Sequence, residues 1–256
     1  MLKRAIRVTE KIPAITAPLF MVLFGLVRLL SMEAVAEPEK STSSVLPKLG
    51  LTREVVGQLP RCCRYANGSP MESMNVIIIG TKQEVRSLYQ ASGWYEALPV
   101  SLLTLFRAHM AIVFNTQFLR GPVTPLYVGA RKQQLAFQKP TALNKFRQRH
   151  HMRLWSTQFV TPAGRPIWIG QASYDVDIKH IGSWLKFPVH QIDGDLDAER
   201  EVLRADLRAG GGTNHGYLRL QSAHRGSNVF NDEFTSDGRA FVIEAPQVNS
   251  GVQKAT

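Results

Sequence analysis

Residues 146–155 alternate without a break. Arg147, Arg149, His151, Arg153 and Trp155 share one parity, and Phe146, His150, Met152 and Leu154 share the other. Successive side chains of a strand leave opposite faces of its pleat, so the segment reads as a strand with one cationic and one largely apolar face. A row of guanidinium groups is costly without anions, whether these are carboxylates of the same domain or a bound phosphate. Carboxylates lie close in sequence. If the next hairpin pairs in one register, Arg153 falls near Asp175 and His151 near Asp177, while a slip of one residue sends both acids to the other face.

The surrounding chain supports a sheet. Residues 126–128, 135–137, 146–159 and 167–174 read as strands separated by Pro and Gly, and 161–166 reads as a hairpin turn. Upstream, 75–79 is a β-branched run ending in Gly80, followed by a Thr81 to Glu84 capping box that opens a helix through about Ala91. Residues 101–113 repeat apolar side chains at helical spacing. A late helix is expected over 197–208, with acids at its N-terminal end and Gly210, Gly211 and Gly212 stopping it. Strands over 217–222 and 240–244 close the domain. Helices and hairpins that do not alternate regularly predict an α+β fold: one domain, a mainly antiparallel sheet flanked by helices, behind an N-terminal hydrophobic segment.

That segment carries Lys3, Arg4, Arg7 and Lys11 ahead of an apolar run over 12–27, and Ala34-Val35-Ala36 fits a small-x-small cleavage pattern. Residues 1–36 are expected to be a signal peptide cleaved after Ala36. The rival is an uncleaved anchor, since 12–30 approaches the length that spans a bilayer. The expected organisation continues with a linker over 37–54, the domain over 55–247 and a flexible tail over 248–256. Export implies a periplasmic protein, or one anchored in the inner membrane and facing the periplasm.

The 256 residues carry a formal net charge of +11. Residues 1–36 hold five Lys or Arg against two Glu, so most of the excess belongs to the domain, and it is unevenly placed. No acid occurs between Glu96 and Asp175, whereas residues 175–201 hold seven acids. Such segregation suits either neutralisation within the fold or an anion-binding face. Nucleic acid is not an expected partner for an exported domain. Cys62 and Cys63 are adjacent, so a disulfide framework is excluded and both are expected to pack as small apolar side chains.

Four pieces in order carry a family resemblance. They are Pro125-Leu126-Tyr127-Val128-Gly129 with Leu135-Ala136-Phe137-Gln138; Arg149-His150-His151-Met152-Arg153-Leu154-Trp155; Gly164-Arg165-Pro166-Ile167-Trp168-Ile169-Gly170 with Asp175; and Ile192-Asp193-Gly194-Asp195-Leu196-Asp197-Ala198-Glu199-Arg200. Together they resemble the LssY-like C-terminal domain of bacterial envelope proteins, named for a component assigned to type I secretion, over about Leu59 to Ala245. In that family the domain often follows multi-span membrane regions of lipid-phosphatase-like or DedA-like type. This chain shows at most one spanning segment, so the resemblance implies a context and no reaction or catalytic residues.

Asp193, Asp195 and Asp197 have the first spacings of an EF-hand loop, but Ala198 stands where Gly is needed and Arg204 where Glu is needed. His190, Asp193 and Asp195, or His151 with Asp175, remain weak candidates for a divalent metal, and no cofactor motif is evident. There is no G-x-S-x-G, H-E-x-x-H or P-loop. Trp155 and Trp168 are expected to pack in the sheet. The leading expectation is an accessory envelope domain whose Arg147, Arg149, His151 and Arg153 engage anionic head groups or an acidic partner. The alternative is a hydrolase of lipid or glycan phosphates using His151 with Asp175 or Asp193.

Overall fold

The computed structural model describes residues 45–143, 145–182 and 187–248. The apolar N-terminal run, the cleavage site after Ala36 and the tail beyond Val248 lie outside the described residues. Fourteen strands and four α-helices are described. In chain order they are α1 (Arg53–Gln58), β1 (Cys62–Arg64), β2 (Pro70–Ser73), β3 (Val76–Ile79), α2 (Lys82–Ala91), β4 (Tyr95–Glu96) and α3 (Leu102–Val113). Then come β5 (Tyr127–Val128), β6 (Arg131–Lys132), β7 (Leu135–Pro140), β8 (Arg149–Val160), β9 (Pro166–Ile181) and β10 (Phe187–Ile192). The chain closes with α4 (Leu196–Ala209), β11 (Thr213–Arg219), β12 (His224–Ser227), β13 (Glu233–Ser236) and β14 (Arg239–Glu244).

The main sheet runs β11-β14-β3-β9-β8-β7-β4, with β10 added beside the far half of β9. Every pairing in it is antiparallel except β14 with β3. The fold is α+β, as the patterns imply. Alternation decides the layers. Val76, Ile78, Met152, Leu154, Phe241 and Ile243 face one side and pack under α2 and α4 through Val85, Leu88, Leu203 and Leu207. Ile77, Ile79, Trp155, Ile169 and Val242 face the other and pack with Cys63 and Met71 of a smaller sheet ordered β2-β1-β5-β6, and with Leu126 just before β5.

Both faces of the main sheet are therefore covered. Leu46 and Leu51, in the stretch read as a linker, are buried in the second core: a short 3-10 turn spans Leu46–Leu49, left-handed Gly50 ends it, and Leu51 N donates back to Leu46 O. Thr81 and Glu84 form the expected reciprocal cap of α2. Cys62 and Cys63 are free thiols, Cys63 fully buried. No helix among the described residues is long and apolar enough to cross a membrane.

Candidate functional site

The cationic face of β8 turns inward, toward the smaller sheet, and floors a cavity of about 330 Å³. The strand delivers Arg149, His151 and Arg153 to it, and β9 delivers Asp175 directly opposite Arg149. From β10 comes His190, from β2 Glu72, and Asn228 follows β12. Apolar walls rise above this floor: Leu105, Ala108 and Ile112 of α3, Pro122 and Val123, Phe146, and Val189. The pairing of β8 and β9 places His151 opposite Ser173 and Arg153 opposite Gln171. Of the two faces the sequence left open to it, Asp175 takes the cationic one, but opposite Arg149, four residues before Arg153, and Asp177 falls beside Arg147 instead of His151.

The polar contacts are specific. Arg149 Nε donates to Asp175 Oδ2 at 2.9 Å, and its Nη1 donates to Gln138 Oε1 at 2.7 Å and Pro122 O at 3.2 Å. Its guanidinium stacks 4.4 Å from the Phe146 ring centre. Arg153 is held differently: Nε donates to Thr124 O at 3.0 Å and Nη1 to Gln171 Oε1 at 2.9 Å, both neutral oxygens. Glu72 Oε1 accepts from Asn228 Nδ2 at 2.7 Å. The nitrogens His151 Nδ1 and His190 Nδ1 both approach Asp175 Oδ2 to 3.2 Å, yet neither has hydrogen-bond geometry. Those two nitrogens and Asp175 Oδ1 are buried without a hydrogen-bond partner among the described residues.

Burial sets the protonation of this floor. It pushes His151 down to about 4, with Asp175 opposing and Arg153 reinforcing the shift. Burial likewise lowers His190 to about 3 against the pull of Asp175. Burial alone would raise the Asp175 carboxyl, but His151, His190 and Arg149 around it hold it well below the usual carboxylate range. Glu72 is raised by burial, which Arg153 partly offsets. The arginines Arg149 and Arg153 are both lowered by burial, and both stay cationic at neutral pH because a guanidinium starts so high.

The other sequence candidates fall elsewhere. Arg147 precedes β8, is half-exposed and pairs with Asp177 at 3.0 Å. Asp193 is exposed and its Oδ1 accepts from Asp195 N at 2.9 Å. Asp195 caps α4, accepting from Asp197 N and Ala198 N. His151, Asp175 and His190 therefore converge, and Asp193 and Asp195 stand apart from them. Among the described residues no group of three or more His, Cys, Asp or Glu is arranged to hold a metal ion. Trp155 is buried and donates to Arg131 O, and Trp168 donates to Gly80 O.

Glu72, Asn228 and the α3 wall are the parts of the site that sequence reasoning missed. Glu72 had one signal, a lone acid between Met71 and Met74 just ahead of a buried run. Asn228 lies far along the chain in Gly and Ser-rich surroundings and had none.

Fold and pocket together define a class: an α+β domain with a cavity between the main sheet and a smaller one, floored by two arginines and two carboxylates beneath apolar walls. The family model for the LssY C-terminus matches residues 56–240, and the chain belongs to that family. No curated protein and no solved structure matches it.

Proposed function

We propose that this is an accessory, ligand-binding domain of the cell envelope that holds an anionic head group attached to an apolar body. The observation that carries this reading is Arg153. It is only 5% exposed, it floors an apolar-walled cavity, and no carboxylate lies within ion-pair distance of it among the described residues. Glu72 and Asp175 act on this guanidinium only from beyond contact distance, its direct partners are neutral oxygens, and an anionic group entering the cavity would supply a contact anion. His151 Nδ1 and His190 Nδ1 offer two further donors once protonated or in the appropriate tautomer. A volume near 330 Å³ is within the roughly 300–1,000 Å³ range of small-molecule sites, whose walls are mostly apolar with a few placed polar groups. The signal-like pattern of residues 1–36 supports an envelope setting, either periplasmic or anchored in the inner membrane and facing the periplasm.

The pocket also gives the hydrolase reading one foothold, since His151 and His190 flank a single buried carboxylate. Against it, Asp193 is exposed, and Thr124 supplies the only hydroxyl among the described lining residues, which include no Ser, Cys or Lys. Calorimetric titration of the full chain separates these readings. Dihexanoyl phosphatidic acid, below the concentration at which it forms micelles, is compared with dihexanoyl phosphatidylcholine and with inorganic phosphate. The proposal predicts binding of the acid at least about tenfold tighter than of either control, with no phosphate released. Equal affinity for all three would sink it, and steady phosphate release would favour the hydrolase.

A further inference from the structure

The helix α3 has its faces reversed relative to an ordinary surface helix. At 100° per residue, Leu102, Leu103, Phe106, Met110, Val113 and Phe114 share one arc, opposite Thr104, Ala108 and Ala111. A soluble helix turns its large apolar side chains to the core. Here the small residues are buried, while Leu102 is 90% exposed and Phe106 and Phe114 about two-thirds so, at 59% and 65%. Of the fourteen exposed large hydrophobic residues described, eight lie between Val100 and Leu119. So concentrated a patch on a folded domain marks an interaction surface.

We propose that this face of α3 seats the domain in the interfacial layer of an anionic bilayer. Charge selects that occupant. Arg107 is exposed at the border of the apolar arc, Arg120 is exposed after it, and no acid occurs anywhere between Glu96 and Asp175. Apolar side chains bordered by arginine match acyl chains beneath acidic head groups. A second copy of the chain related by a two-fold axis would bring like charges together across the same face. The face is also continuous with the cavity, because Leu105 is half exposed and lines the pocket. Seating α3 therefore sets the pocket mouth at the membrane surface, where an amphiphile passes in without crossing water. Only this last step rests on the ligand proposed above.

The test uses the full chain in vesicles of phosphatidylcholine, with and without phosphatidylglycerol, doped with a lipid carrying a photoreactive group in its acyl chain. Labelled positions are mapped by mass spectrometry, so lipid contact at residues 12–30 is counted separately from contact at 102–114. The expected result is labelling of 102–114 that increases with phosphatidylglycerol and drops by about tenfold in L103E/F106E, while labelling of 12–30 persists. Leu102→Glu, at the most exposed position, gives the same drop in part and serves if the double variant fails to fold. Absence of label at 102–114, as a second copy seated on this face would give, equal labelling in the variants, or labelling that does not respond to phosphatidylglycerol would overturn the proposal. Arg153→Gln separates it from the pocket reading: that variant loses ligand and still labels at α3.

Discussion

Single residues carry the account through two arginines of the same strand that are held in different ways. Arg149 has a counter-ion in Asp175, and both are nearly fully buried. Arg149→Met removes the cation and leaves that carboxylate alone in the interior, so we expect a loss of about 3–5 kcal/mol, read as a lower urea midpoint. The histidines set the response to pH. In the folded chain His151 titrates near 4 and His190 near 3, and in the unfolded chain both return to about 6.5. Between about pH 4 and 6.5 the unfolded state then binds more protons at these positions, so stability falls as pH drops through that window. Glu72, raised by burial, acts in the opposite sense, so urea unfolding at pH 7, 6 and 5 is compared between wild type and His190→Gln: the variant should lose less stability on acidification, and an equal or larger loss would contradict the assignment. The alternation that sorted Arg149, His151 and Arg153 onto one face was legible in the sequence. Their burial was not, because nothing local says that a second sheet covers that face.

At the scale of elements, what was legible followed local chemistry. The helices α2, α3 and α4 and the long strands β8 and β9 announce themselves by capping residues, apolar spacing and alternation. Strands β1, β2, β12 and β13 were invisible, being three or four residues long and lacking any β-branched run, although β1 pairs with β2 and β12 with β13 close by in the chain. The register of β8 on β9 was also beyond reach, since several registers of equal parity satisfy the same pattern. Close packing at Gly170 helps hold the observed one. A Cβ there would stand 2.7 Å from Leu154 Cδ2 and 2.8 Å from Arg153 O. Gly170→Ala should cost about 1–3 kcal/mol and weaken ligand binding as well, because the backbone it displaces carries Arg153. By contrast Thr81→Ala, which removes one half of the α2 cap, should cost about 1 kcal/mol in thermal melts and leave binding unchanged.

For the whole molecule, an anion site inside a cavity differs from an anion-attracting surface in its response to salt. Interactions between exposed charges are screened over a Debye length of roughly 10 Å at 0.1 M salt, and buried ones much less. Ligand binding in the pocket should therefore change only about threefold between low and high salt, whereas vesicle attachment through α3 and its arginines should fall steeply. Two contacts with an amphiphilic environment would then be separable in one protein. The central claim is that Arg153, buried and without a contact carboxylate, is the residue awaiting an anionic head group. Its most direct test is the affinity of the full chain for dihexanoyl phosphatidic acid in wild type and in Arg153→Gln, with folding of both verified by thermal melts. The variant should bind about ten- to a hundredfold more weakly, the worth of a charge-assisted hydrogen bond; equal affinity in two folded proteins would show that Arg153 does not hold the head group.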